Sequence, residues 1–333
     1  MSALPAPGPL VTVGLLAEWL GHADLVVLDA SVGPYRGAES VIPGARTFDI
    51  DGVMSEQGSP LPHTMPGPER FEREMRALGV NDSSTVVVYD TAGVHSSARA
   101  WWMLRAMGFD RVAVLDGGLP AWTGAGLPEQ SSGRAAPPPG DFTARPREGL
   151  IVDSAAVLAA LSDPGSAVLD ARTRERFAGL AEEPRPGLRG GHMPGAVNLP
   201  FADLQQDGRM RPAGELQDVI SCLVGERRRL VVSCGSGVTA CVLALGAELA
   251  GYRDLAVYDG SWSEWGLPSA LPVVTGWPTP PVTCDPSEER RRTGGDRLGQ
   301  WLEPGDEGPD LVVEEPGEGE GLVVVRCVDE DRG

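Results

Sequence analysis

Cys234 stands where a nucleophile could act, between two apolar runs of the chain. Residues 230–246 read LVVSCGSGVTACVLALG, so a β-branched run precedes the cysteine, and glycine, serine and glycine follow it. A cysteine attacks as the thiolate, and a positive environment favours that form. A glycine-rich loop ahead of a helix supplies such an environment, because it turns backbone N–H groups inward and the helix dipole adds its positive end. The pattern therefore predicts a strand, an anion-binding loop and a helix.

The predicted loop is small and neutral. We expect it to stabilise the Cys234 thiolate, and a persulfide anion made from it, through Gly235, Ser236, Gly237, Val238 and Thr239. The two glycines are expected to allow a strained turn, and the serine places a hydroxyl inside the ring. The alternative of a buried structural cysteine fits the position between strand and helix poorly.

The residue at the end of this loop argues against one class of cysteine enzyme. Cysteine phosphatases carry an arginine at the sixth position after the nucleophile, where it holds the phosphate. In this chain that position is Ala240. Phosphatase chemistry is therefore disfavoured.

Four landmarks of the sequence occur twice, in the same order. They are LVVLDAS at 25–31 and AVLDART at 167–173, IPGARTFDI at 42–50 and MPGAVNLPF at 193–201, STVVVYDTAG at 84–93 and RLVVSCGSG at 229–237, and LDGGLPAW at 115–122 and YDGSWSEW at 258–265. Self-similarity of this kind indicates a duplicated domain. Asp90 takes the place of Cys234 in the first copy, so we predict that the first domain has no nucleophile.

Each copy alternates short β-branched runs with longer helical patterns. This alternation predicts an α/β fold of two tandem domains, each a mainly parallel sheet with helices on both faces. Ligands of such sheets bind beyond the carboxyl ends of the strands, where Cys234 and Asp90 lie. The predicted limits are a non-catalytic domain at 8–130, a linker rich in proline and glycine at 131–148, a catalytic domain at 149–278, and an acidic tail at 279–333 that is either disordered or a hairpin.

Charge and composition disfavour several classes of partner. The net charge of −19 disfavours nucleic acid and anionic membranes. No apolar run approaches the roughly 18 residues of a membrane span, and the N-terminus lacks the features of a secretory signal, so we expect a cytoplasmic protein. The five cysteines are irregularly spaced, which argues against a zinc site.

Taken together, the duplication and three motifs resemble the rhodanese superfamily. The motifs are CGSGVTA at 234–240, DGSWSEW at 259–265 and RFAGLAEEPR at 176–185. Within that superfamily the chain is most similar to the tandem-domain 3-mercaptopyruvate sulfurtransferases. The resemblance covers roughly residues 8–278, and it implies the rhodanese-like fold for both domains.

The resemblance also implies roles for individual residues. Cys234 matches the cysteine that accepts the sulfur, and Arg176 and Arg185 match the pair that holds the carboxylate and carbonyl of mercaptopyruvate. Ser236, His63 and Asp51 match a relay that assists proton movement. His63 and Asp51 belong to the first domain, so the site is expected at the domain interface. Without the resemblance, the two arginines are equally typical of solvated side chains, the histidine of a loop cap and the aspartate of a turn.

The resulting hypothesis is a sulfurtransferase without a metal or an organic cofactor. It moves a sulfur atom from 3-mercaptopyruvate through a Cys234 persulfide to a thiol acceptor such as thioredoxin, or to cyanide, and releases pyruvate. Thiosulfate remains an alternative donor, although thiosulfate sulfurtransferases typically carry basic residues after the cysteine and this chain carries neutral ones. A second hypothesis is a persulfide carrier that delivers sulfur to one protein partner and docks through the acidic tail.

Overall fold

The β-branched runs of the sequence form two parallel sheets in the computed structural model of the chain, which describes residues 4–132 and 136–277. The first half contains the strands β1 (Leu10–Val11), β2 (Leu25–Asp29), β3 (Ser40–Val41), β4 (Arg46–Thr47), β5 (Thr85–Tyr89), β6 (Val112–Leu115) and β7 (Gln130–Ser131), and the helices α1 (Val13–Trp19), α2 (Pro68–Ala77), α3 (Ser97–Ala106) and α4 (Gly118–Gly124). The second half contains the strands β8 (Ile151–Val152), β9 (Ser166–Asp170), β10 (Val197–Asn198), β11 (Gln205–Gln206), β12 (Arg209–Met210), β13 (Arg229–Ser233) and β14 (Asp254–Tyr258), and the helices α5 (Ser154–Ser162), α6 (Arg174–Ala178), α7 (Ala213–Val224), α8 (Ala240–Leu249) and α9 (Ser261–Trp265).

The two five-stranded sheets have the same topology. Their strand orders are β4-β2-β5-β6-β1 and β10-β9-β13-β14-β8, and all neighbouring strands are parallel. Successive residues of β2 face different cores, since Val26 and Leu28 pack in one hydrophobic cluster and Val27 packs in another. Both faces of the sheet are therefore covered. This confirms the predicted fold of two tandem parallel α/β domains.

The helices α3 and α8 lie in the contact between the two halves. Every residue of α3 except Arg105 is buried, and the first eight residues of α8 are buried as well. A helix that is buried on all sides lies inside a core, and these two pack against each other between the sheets. One hydrophobic cluster accordingly contains Trp101 and Trp102 from the first half and Leu243 from the second. The two halves share a continuous core.

The predicted linker is fixed to the first half over its described residues. Phe142 is fully buried, its backbone N–H donates to the carbonyl of Val80 at 3.1 Å, and the N–H of Ala144 donates to Glu72 at 3.0 Å. The segment thus crosses the first half as an ordered strap rather than a free connection.

The described residues contain neither a helix that could span a membrane nor a cluster of side chains that could hold a metal ion. Among the described residues, no helix has the length and apolar content needed to cross a bilayer. In the same part of the chain, no group of three or more histidine, cysteine, aspartate or glutamate side chains is arranged to hold a metal ion. The predicted tail at 279–333 lies outside the described residues.

Candidate active site

Cys234 is the first residue after β13, at the carboxyl end of a central strand. Its side chain is almost completely buried, with 1% of the residue exposed. The segment that follows β14 holds its backbone, since the Cys234 N–H donates to the Ser261 hydroxyl at 3.2 Å and its carbonyl accepts from the Trp262 N–H at 2.9 Å. The next carbonyl, that of Gly235, accepts from both the N–H and the hydroxyl of Ser263, at 2.9 and 2.7 Å. The loop is therefore rigidly placed.

The two glycines of the loop are needed for different reasons. Gly237 has a φ of +76°, which an L side chain rarely adopts. Gly235 is outside the left-handed region, but a Cβ built on it would lie 3.1 Å from Nη2 of Arg176. The expectation that both glycines allow a strained turn is thus wrong for Gly235. Its small size instead admits the arginine above the loop.

The backbone amides of the loop are available to an anion. Between residues 235 and 239, no backbone N–H donates to an acceptor within the described part of the chain. The loop leads directly into the N-terminus of α8 at Ala240, where the helix dipole is positive. The N–H groups next to Cys234 therefore have no competing acceptor among the described residues and can donate to an anion there.

Three side chains form a hydrogen-bonded chain that crosses the domain interface. Nδ1 of His63 lies 2.9 Å from the Ser236 hydroxyl, and Nε2 lies 3.0 Å from Oδ1 of Asp51. A carboxylate can only accept, so we assign the proton of the neutral ring to Nε2. Nδ1 then accepts from the Ser236 hydroxyl. The structure therefore brings together the three residues that the family resemblance grouped.

The environment of His63 keeps it neutral. Burial lowers the pKa of the imidazole below its ordinary value, the hydrogen bond and charge of Asp51 oppose that effect, and the positive charges of Arg185 and Arg99 add to the lowering. A neutral histidine can accept a proton, whereas a protonated one cannot. His63 can thus act as a base toward Ser236.

The two predicted substrate arginines differ in their pairing. Arg176 is held by Glu183 at 2.5 Å, and Glu183 is 2% exposed and also binds Arg172 at 2.8 Å. Arg185 has no carboxylate partner within residues 4–132 and 136–277, and its charge acts on His63. It lines a cleft of about 390 Å³ together with Glu183. One arginine is therefore pre-oriented, and the other is free to bind an anion.

Sequence reasoning missed two residues near the site, Arg99 and Asp259. Asp259 lies in the motif DGSWSEW, and its Oδ2 accepts the N–H of Met65 at 2.8 Å, which ties the His63 segment to the second half. Arg99 binds Asp259 at 2.6 Å. The signal available in the sequence was an arginine inside the otherwise apolar stretch ARAWWML.

Comparison with known proteins adds independent information. The profile of a family described as "Rhodanese-like domain" matches the chain twice, over residues 12–125 and 154–267. The 3-mercaptopyruvate sulfurtransferase of Escherichia coli (strain K12) is 39% identical over 268 residues, which cover 78% of this chain and 95% of that protein. The Arabidopsis thaliana protein named thiosulfate/3-mercaptopyruvate sulfurtransferase 1, mitochondrial, is 36% identical over 308 residues, covering 82% of this chain and 79% of that protein.

A solved structure is similar over the same range. The crystal structure of SseA from Escherichia coli, described as a 3-mercaptopyruvate sulfotransferase, matches with a TM-score of 0.68 and 36% identity. The match covers 78% of this chain and 100% of that chain. The similarity includes both halves of the described fold.

Proposed function

The chain belongs to the rhodanese family, with two rhodanese-like domains, and from that premise we propose that it is a 3-mercaptopyruvate sulfurtransferase with Cys234 as its nucleophile. In the first step the Cys234 thiolate attacks the sulfur atom of the substrate. The new S–S bond forms as the C–S bond breaks, and the electron pair of that bond leaves on carbon as the enolate of pyruvate. Cys234 is left as a persulfide.

The protons of this step also balance. The substrate sulfur arrives as a thiol, so the new persulfide carries that proton, and the enolate needs one proton at carbon to become pyruvate. Ser236 can take the persulfide proton as it passes its own to Nδ1 of His63. Protonated His63, stabilised by Asp51, then supplies a proton by the same route. No metal or organic cofactor takes part.

The observation that carries the proposal is the hydrogen-bonded chain of Ser236, His63 and Asp51 beside the Cys234 loop. Sulfur transfer from thiosulfate releases sulfite and requires no proton, whereas transfer from mercaptopyruvate moves one from sulfur to carbon. A proton relay next to the nucleophile therefore favours mercaptopyruvate. The neutral residues 235–239 support the same choice, because they offer no side-chain cation to a dianion.

The arginines are assigned to the α-keto acid. Arg185, which lacks a carboxylate partner in the described chain, is suited to bind the substrate carboxylate through its planar fork of donors. Arg176 lies against Gly235 and is oriented by Glu183, so it is suited to the carbonyl oxygen that becomes the enolate oxygen. Charge then develops beside a fixed cation.

In the second step a thiolate attacks the outer sulfur of the persulfide, and Cys234 leaves as the thiolate. We assign the acceptor to small thiols or to a protein thiol such as thioredoxin in the cytoplasm, with cyanide as an artificial acceptor. Thiosulfate is the second candidate donor, because the name of the Arabidopsis relative includes it. The loop amides can bind its charge as well.

The test is the mass of the purified full-length protein after incubation with each donor. Mercaptopyruvate is expected to add one sulfur atom, about 32 Da, to the peptide that contains Cys234, with release of one pyruvate. Cys234→Ser should show neither. An unmodified wild-type protein, or a kcat/KM that is higher for thiosulfate than for mercaptopyruvate, would contradict the proposal.

A pair of variants tests the arginine assignment. Arg185→Ala is expected to raise the KM for mercaptopyruvate at least about tenfold, since the lost contact is a charge-assisted hydrogen bond. Arg174→Ala is the matched control, because Arg174 is 56% exposed and its one partner among the described side chains is Asp203 at the surface. Equal KM values for the two variants would show that Arg185 does not bind the substrate.

A further inference from the structure

A buried arginine of the first half reaches under the catalytic loop of the second. Arg99 is the third residue of α3, and none of its side chain is exposed. Burying a charge is costly unless the charge is paired and hydrogen-bonded. An arginine in the middle of the interface therefore requires a compensating set of contacts.

Those contacts converge on the backbone of the proposed relay. Nη2 of Arg99 donates to the carbonyl of His63 at 2.8 Å and to Oδ1 of Asp259 at 2.6 Å. The other oxygen of Asp259 accepts the N–H of Met65. Nη1 of Arg99 lies 3.4 Å from where a Cβ on Gly237 would be. One side chain thus binds the relay segment and occupies the space next to Gly237 in the loop of Cys234.

The segment that Arg99 holds is strained. His63 has a φ of +59°, a left-handed conformation that is unusual for a residue other than glycine. Its own carbonyl is held by Arg99, and the N–H two residues later is held by Asp259. These two hydrogen bonds fix the strained backbone in the orientation that points the ring at Ser236.

The two halves are not equivalent at this point. The third residue of α8, in the place that corresponds to Arg99, is Val242. The ninth residues, Arg105 and Glu248, form a salt bridge across the same helix pair. The salt bridge of Arg105 thus pairs charges across the interface without Arg99. The buried Arg99 occurs in α3, next to the loop of Cys234, and has no counterpart in α8.

We propose that Arg99 is a positioning residue for sulfur transfer, holding the backbone of His63 so that its ring stays in hydrogen-bonding distance of Ser236. The role of Arg99 in turnover rests on the proposed function, but the placement of His63 does not. The non-catalytic domain thereby contributes a histidine to the site and also the group that keeps it in place.

The kinetic test compares Arg99→Met with Arg105→Met. Arg99→Met is expected to lower kcat for mercaptopyruvate by about 10²-fold with KM unchanged, because misplaced proton-transfer groups affect the reaction step. Arg105→Met breaks the salt bridge between α3 and α8, which does not involve Asp259, and is expected to leave kcat near the wild-type value. Similar kcat losses in both variants would show that Arg99 only stabilises the interface and does not position His63.

A double-mutant cycle identifies the residue through which Arg99 acts. In a His63→Ala background, Arg99→Met is expected to cause no further loss of kcat. A full additional loss there would overturn the proposal. The Arg99→Met/Asp259→Asn double variant leaves no unpaired buried carboxylate at this place, and it is expected to fold and to show the same loss as Arg99→Met.

A measurement without substrate separates this inference from the proposed function. The chain has four histidines. The imidazole NMR signals of His63 are those that disappear in the His63→Gln variant. Arg99→Met is expected to move the His63 signals toward their positions in Ser236→Ala, and Arg105→Met to leave them unchanged. Unmoved His63 signals in Arg99→Met would refute the positioning role, whatever the donor of the enzyme proves to be.

Discussion

The loops that follow β5 and β13 occupy equivalent places in the two halves. They differ in whether their backbone N–H groups already have an acceptor within the described chain. In the first half Asp90 is fully buried, and its carboxylate accepts the backbone N–H groups of Ala92, His95 and Ser97 at 2.9, 2.9 and 2.8 Å. The chain thus supplies its own anion to that loop.

In the second half the corresponding residue is Cys234, and the amides of residues 235–239 have no acceptor within the described chain. The carboxylate oxygens of an aspartate lie two bonds beyond Cβ, and so does the outer sulfur of a cysteine persulfide. In the first loop, the backbone N–H groups bind a carboxylate, that of Asp90, at that distance from Cβ. Under the proposed mechanism, the two halves differ in whether the anion is permanent or is made and removed in each reaction cycle.

The largest effect is expected when the second loop is given the anion of the first. Cys234→Asp should lower turnover by at least about 10⁴-fold, the scale of losing a nucleophile, while its carboxylate takes up the loop amides. We expect the variant to be at least as stable as Cys234→Ser. Pyruvate release measures the loss of turnover, and thermal unfolding measures the stability of the two variants. A melting temperature of Cys234→Asp well below that of Cys234→Ser would show that the second loop does not bind an anion as the first loop does.

The second prediction removes the carboxylate of Asp90 from the first loop. Asp90→Ala leaves one buried and two partly buried N–H groups without their acceptor and is expected to lower the free energy of unfolding by about 3 kcal/mol. Asp90→Asn keeps an accepting oxygen and should lose less. Because Asp90 lies in the half that does not contain Cys234, kcat of the folded protein should not change. Urea unfolding and kcat of both variants provide the check, and a large loss of kcat at full folding would assign Asp90 to catalysis.

Much of the fold follows from local sequence. The strands carry β-branched runs, the landmarks recur in order, and the anion-binding loop lies between a strand and a helix, so short windows were sufficient to predict them. The predicted linker was different, because the burial of Phe142 depends on contacts with the first half that no local pattern contains.

The site depends on contacts between distant residues. His63 and Ser236 are 173 residues apart, and Arg99 and Asp259 are 160 apart. The first pair was named because the motifs resemble a family, and the second was missed because nothing in the motifs includes Arg99. The reason for Gly235 was also missed, since the approach of Arg176 is a tertiary contact.

A smaller effect is expected from exchanging one hydroxyl. Ser236 corresponds to Ala92 of the first loop, so Ser236→Ala makes the two loops alike at the relay position. The proton path from the substrate to His63 is then broken, and kcat should fall by about 10²-fold, the lower range for general acid–base catalysis. Thr91→Ala removes a hydroxyl from the first loop and should leave kcat unchanged. An unchanged kcat in Ser236→Ala would remove the serine from the mechanism.

The smallest effect is expected in the pH dependence of kcat, which should distinguish His63 from His95. Burial lowers the pKa of both His63 and His95 below the ordinary value of 6.5. Only neutral His63 accepts a proton, so its contribution to kcat should be lost as pH falls, with a midpoint below pH 6.5. The ratio of wild-type kcat to that of His63→Gln isolates this contribution, whereas His95→Gln should leave the pH profile unchanged. A ratio whose decline has its midpoint above pH 6.5, or a profile that depends on His95, would place the working base outside the relay.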